Sequence, residues 1–311
     1  MKSAKWIHTA AAALLALWLA AGAGSLEARA PSSSAADSAS AVELVRAAVA
    51  NEVAAGNDDS TKHMFRSRKQ SPQGSQTRLY VETRTAMAGM TIAYNDHPLT
   101  SEQMRNEAAR LDELVANPEQ LKRKHSQEQE TAEHTLRIVK ALPEAFLYDY
   151  DRDESGTASL GKDGGQLVRL KFRPNPDYHP PSHVEDVLVG MQGVVVIDPV
   201  AKRIAVIDGT LFKEVSFGWG ILGHLDKGGH FLVEQRDVGD GSWDIAHMSL
   251  NFTGRILLFK ALAIKSDETF NDFRRVPADT TFTQGVEMLK AEEAKLTQAR
   301  AESAKSDTSP H

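Results

Sequence analysis

The sequence predicts an α+β protein in which one antiparallel sheet packs on helices, a single domain over residues 41–298. Three observations predict it. Helix patterns cluster before residue 143 and after residue 281, while strand patterns fill 145–273; that segregation marks α+β order rather than alternating units. The strand segments are joined by short turns, as an antiparallel meander requires. Finally, Val194 to Ile197 and Ile256 to Phe259 are unbroken apolar runs, where a sheet with one wet face would alternate. Residues 190–264 thus read as strands apolar on both faces, and each face needs a cover: a helix, a second sheet or a bound apolar ligand.

The elements follow in order. Residues 31–40 (PSSSAADSAS) read as a disordered linker. A helix is expected over 41–55, with Ser40 as N-cap, Glu43 three residues on, and Val45, Ala48 and Val49 on its apolar face. Alternation predicts strands at 78–85 and 90–94, closed by the turn Asn95–Pro98. A helical insertion spans 100–142: Thr100 with Gln103 forms a capping box, and Asn117-Pro118 restarts the helix. Its middle (KRKHSQEQETAEH) should face solvent, and Pro143 should stop or kink it. Strands are expected near 145–151, 166–173, 192–198, 203–209, 211–218, 229–238, 243–252 and 255–265, with 199–202 as a hairpin turn. A last helix begins near Thr281, and residues 299–311 read as a disordered tail.

Residues 1–30 carry the pattern of an export signal. Lys2 and Lys5 precede a 13-residue apolar stretch (9–21), short for a membrane span, and small-residue cleavage sites follow. The expected address is the periplasm or the exterior. There is no cysteine, which excludes thiol chemistry, cysteine-held zinc and iron–sulfur clusters. Beyond residue 30 the chain holds 33 basic and 41 acidic residues, a net charge of −8. That balance opposes nucleic acid and anionic membrane surfaces as partners.

Chemical motifs are sparse. Asp151, Asp153, Ser155, Gly156 and Ser159 occupy EF-hand-like positions, but Lys162 stands where a bidentate glutamate is needed, so the segment reads as an acidic hairpin loop. His179 and His183, with Glu185 and Asp186, offer zinc-type donors; the two intervening prolines stiffen the loop, so the imidazoles need not converge, and the segment reads as a rigid loop crossing the sheet. No nucleophile elbow, His-Glu-x-x-His or phosphate loop is present. No metal and no cofactor is expected. The remaining candidate is apolar: Phe212, Phe217, Trp219, Ile221, Phe231 and Trp243 crowd successive strands. They form either ordinary core or the lining of a ligand site, since small-ligand sites are concave and mostly apolar.

Residues 166–264 run through QLVRLKFRPNPDYHPPS, GMQGVVVIDPVAKRIAVIDG, VSFGWGILGHLDKGGHFLVEQRDV, the Trp243-x-Ile245 pair and GRILLFK. This run resembles a group of uncharacterised exported bacterial proteins, which in turn are similar to the outer-membrane lipoprotein-sorting (LolA-like) carriers. The resemblance implies a half-open β-barrel: a curved antiparallel sheet wrapped over helices, with an apolar cavity for acyl chains. The expected function is a non-enzymatic, monomeric binding protein holding a lipid, acyl chain or lipoprotein, as carrier or envelope sensor. Two other readings stand beside it: a cell-envelope protein-interaction module using the polar helix near 117–135, and a metal-dependent hydrolase using His179, His183 and Glu185.

Overall fold

The structure is a computed structural model that describes residues 35–217, 223–239, 241–256 and 260–307. The expected signal segment, the tail beyond 307, Trp219 and Ile221 lie outside the described residues, as does the side chain of Phe217. Four helices are described: α1 (Ala35–Gly56), α2 (Ser101–Ala116), α3 (Pro118–Ala145) and α4 (Phe282–Asp307). The strands are β1 (Lys62–Ser71), β2 (Gly74–Val81), β3 (Ala88–Tyr94), β4 (His97–Pro98), β5 (Phe146–Ser155), β6 (Gln166–Pro174) and β7 (Met191–Asp198). There follow β8 (Arg203–Leu211), β9 (Val215–Phe217), β10 (Gly223–Leu225), β11 (His230–Asp237), β12 (Trp243–Ile256) and β13 (Lys260–Val276). The named strands pair antiparallel, in an order that runs from β4 to β5 without closing. The class is therefore α+β with an open antiparallel sheet. No helix among the described residues is long and apolar enough to cross a membrane.

The chain groups into two compact units. The first takes residues up to 58 and 129–269; the second takes 59–128 and those from 270 on. In the second, β1 to β4 and the end of β13 carry α2 and α4. Its core joins Met64, Leu79, Val81, Met90 and Ile92 of the strands to Leu111 of α2 and to Val286 and Leu289 of α4. Both predicted helix starts hold: Thr100 and Gln103 cap α2 reciprocally, and Asn117 accepts the Gln120 N–H at the head of α3. Thr281 and Gln284 form a second such box at α4. Strand β1 was hidden from the sequence because its residues (KHMFRSRKQS) are half basic.

In the first unit the order is β13–β12–β11–β8–β7–β6–β5, with α1 against β5, β8 and β7. Helix α1 begins at Ala35, earlier than the expected cap at Ser40. Alanine-rich sequence propagates a helix readily, and Glu43 pairs with Arg46 instead of serving a cap. Ala41, Val45, Ala48, Val49 and Glu52 are its buried stripe. At the predicted β7–β8 turn the Asp198 carboxylate accepts the N–H groups of Val200 and Ala201 at 2.9 and 2.7 Å, and Lys202 takes a positive φ of 51°. Asn51 donates to the turn carbonyl of Ala201. At the next residue of the helix, the Glu52 carboxylate is fully buried. It accepts Arg203 Nε and Nη2 at 2.9 and 3.0 Å and the Ile204 N–H at 2.9 Å.

Removing this buried carboxylate takes the charge partner from Arg203 and the acceptor from the Ile204 N–H. Glu52→Ala should therefore destabilise the protein by about 3–5 kcal/mol. By contrast, Glu43→Ala, which breaks an exposed pair, should cost about 0–1 kcal/mol. Urea denaturation of the two variants checks the contrast; similar midpoints would refute it.

Candidate functional site

Cross-strand register assigns the two faces of the first unit's sheet. Residues directly opposite share a face, and neighbours along a strand point to opposite ones. One row runs Leu170–Val195–Ile207–Val233–Met248–Glu268 across β6, β7, β8, β11, β12 and β13. The next runs Phe172–Gly193–Gly209–Phe231–Leu250–Ser266. This face is apolar except on β13, where Ser266 and Glu268 are buried polar groups. The opposite face carries Arg169, Lys171, Asp208, His230, Glu234, His247 and Asp267.

That second face corrects the expectation of two-sided apolar strands. Of the apolar run Ile256–Phe259, residues 257–259 lie outside the described residues. Among the described residues β11, β12 and β13 alternate, while β7 and β8 carry apolar residues on both sides. Their outward residues Val196 and Val206 are buried in a small cluster with Leu167, Ala205 and Trp243, against which Leu160 and Leu232 pack. The loop bearing Leu160 is pinned by backbone bonds between Gly161 and Gln235 and between Asp237 and Gly161, at 2.8 and 2.9 Å. This is the EF-hand-like segment. Asp151 and Asp153 lie within β5, and Asp151 is paired with Lys171, Arg152 and Arg169. The bond from Lys171 holds its carboxyl below the usual range. Of the histidine pair, His179 Nδ1 lies by the Asp177 carbonyl, and His183 faces Asp186 at 3.4 Å.

The apolar face is not uniformly covered. Leu170, Phe172, Val195, Met248 and Leu250 are buried, whereas Gly193, Ile207, Phe231 and Val233 in the middle of the sheet are partly accessible. Glycines thin the side-chain layer here. A Cβ at Gly209 would stand 2.4 Å from the Phe231 ring and 2.8 Å from Met191 Sδ, so the ring lies over the glycine backbone. Phe252 covers Gly229 likewise.

Of the predicted lining residues, Phe231 is at this patch and Phe212 is partly buried just beyond the end of β8. Trp243 is not at the patch. It packs with Val196 and Val206 on the other face, the face to which Leu232 rather than Phe231 points. Phe217, Trp219 and Ile221 belong to the undescribed part. Aromatic content signalled the region but could not separate the faces. Ile207, Val233 and Glu268 were missed: the first two looked like plain core, and β13 was expected to end at 265 because KSDETFND is so polar.

On the polar face His247 joins three strands. Its Nδ1 faces Glu234 at 2.9 Å and its Nε2 faces Asp267 at 3.0 Å. Burial lowers its pKa, but the bonds to Asp267 and Glu234 outweigh that, and the net shift is upward. His230 Nε2 is 2.8 Å from Asp208 on the same face.

The comparisons with known proteins are spare. No family model matches the chain, and no curated protein matches it. Among solved structures it is similar to one described as an outer membrane lipoprotein-sorting protein domain from Vibrio parahaemolyticus. That match has 13% identity and a TM-score of 0.27, covering 75% of this chain and 91% of that one. A likeness at that level carries no argument, so the class rests on the sheet and helices themselves.

Two outcomes test this geometry. Gly209→Ala should displace Phe231 and cost about 1–3 kcal/mol by overpacking, read as a lowered urea midpoint. His247 has a raised folded pKa, so its contribution to stability is complete below its unfolded pKa and is lost as pH rises through the folded one. The wild-type midpoint should therefore fall between pH 6 and pH 8.5 by more than that of His247→Gln; parallel profiles would contradict it.

Proposed function

We propose that this protein is a non-enzymatic, exported binding protein that holds an acyl chain, as a lipid or the lipid of a lipoprotein, against the apolar face of its β-sheet. The observation that carries the reading is the accessible patch of Gly193, Ile207, Phe231 and Val233, framed by buried apolar side chains in the same register rows. Water at such a patch gains nothing, and an alkyl chain covering it contributes roughly 0.8 kcal/mol per methylene removed from water. Ser266 and Glu268 supply the few polar groups that an apolar site uses to orient a ligand. The signal-like pattern of residues 1–30 supports a periplasmic or secreted address, where acyl chains must be shielded from water in transit.

Protein purified from the cell envelope should release lipid on organic extraction, identified by mass spectrometry. Phe231→Ala should lower the lipid content several-fold with a modest loss of stability. Trp243→Ala, in the core of the opposite face, should lose about 3–5 kcal/mol while the still-folded fraction keeps its lipid. Lipid-free wild-type protein that also fails to take up a fluorescent fatty acid would overturn the reading.

A further inference from the structure

We propose that the paired strands β9 and β10 carry a zinc-class divalent metal site formed by Glu214, His224 and Asp226, which flank and lie within them. The side chains of these residues converge: one ligand atom from each lies within 4.8 Å of the other two. Register explains why. Ser216 pairs with His224, and Val215 with Leu225. Alternation then turns Val215 and Leu225 inward, where both are buried. It places Glu214 and Ser216 of one strand beside His224 and Asp226 of the other on the outward face.

The spacing suits a metal. His224 Nε2 and Asp226 Oδ1 are 3.3 Å apart, and ligands at zinc bond lengths of about 2.0–2.2 Å in a tetrahedron stand about 3.4 Å from one another. Two carboxylates and one neutral imidazole present a charge of −2 to a divalent ion, whose binding relieves their mutual repulsion. One nitrogen and two oxygens suit zinc, which accepts three protein ligands and leaves a fourth position for water. The set is too small and too nitrogen-rich for calcium, which takes six to eight oxygens. The Ser216 hydroxyl donates to Glu214 Oε1 at 3.2 Å, the kind of supporting bond that orients a ligating carboxylate.

The scaffold is held from behind. Strand β10 pairs with β12 through Leu225 and Gly254 and through His224 and Arg255. A Cβ at 254 would stand 2.1 Å from the His224 carbonyl oxygen, so only glycine permits this approach. The Asp226 N–H donates to the Thr253 carbonyl at 2.9 Å. Arg255, the cross-strand neighbour of His224, is exposed, and its charge moderates the affinity without filling a ligand position. Nothing in the linear spacing of 214, 224 and 226 announces a site; the strand pairing creates it.

The test is titration of zinc alone into the full chain, stripped with a chelator and held at pH 7.5, followed by calorimetry. One ion per chain should bind saturably, and cobalt should give the visible absorption of a four-coordinate centre. His224→Ala and Asp226→Asn should each weaken binding at least tenfold, whereas His183→Ala should not change it. Circular dichroism of each variant separates lost binding from lost fold. Absence of saturable zinc binding by the folded wild type, or binding that survives His224→Ala, would overturn the proposal. Because no lipid enters the experiment, its outcome is independent of the acyl-chain reading.

Discussion

The first unit depends on one buried carboxylate. Glu52 brings a negative charge from the inner stripe of α1 to the root of the β7–β8 hairpin, where Arg203 and the Ile204 N–H meet it. The guanidinium is held further by Gln235 at 3.4 Å and by the Trp243 ring, 5.7 Å away. Helix, hairpin, β11 and β12 thus converge on a single charge pair. Such a pair adds little net stability over a well-packed apolar substitute, but it tolerates very few geometries. It fixes where α1 crosses the sheet, and so which strands the helix lies against.

From that placement follows the difference between the two ends of the apolar face. On β5 and β6 the inward residues Phe146, Tyr148, Leu170 and Phe172 are buried and their rings are in contact. On β8 and β11 the same rows become partly accessible. The glycines at 193 and 209 reinforce this: two strands approach without side chains between them, and Phe231 is left to lie across the gap. The outward face has the opposite chemistry. There, histidines and carboxylates pair across strands, and the charge state of His247 ties β11, β12 and β13 together.

Much of the architecture was legible in local sequence because its causes are local. The capping box at Thr100, the helix start near Thr281 and the Asn117-Pro118 restart each need only three or four neighbouring residues, and so does the turn at 199–202. The strands from 145 to 256 were legible from β-branched and aromatic content. What failed had causes outside the local window. Strand β1 and the second half of β13 are polar segments that become strands because a neighbour pairs with them. Ser40 looked like a cap, yet the helix was already running. Apolar runs at β7 and β8 called for a cover on each face without naming it; Trp243 and the Leu160 loop cover the second.

By itself, then, the sequence determined the class: antiparallel strands with flanking helices, no cysteine chemistry, an acidic chain and a signal-like leader pattern. Composition and short-range periodicity are properties of the chain alone, and they suffice for that. Only the tertiary structure decided which face each aromatic joins. It placed Phe231 on the accessible apolar face and Trp243 in the opposite core, and it brought Glu214, His224 and Asp226 to one point. The physical reason is register. The face of a strand residue is set by the pairing of its neighbours, and a shift of one residue would exchange the two faces entirely.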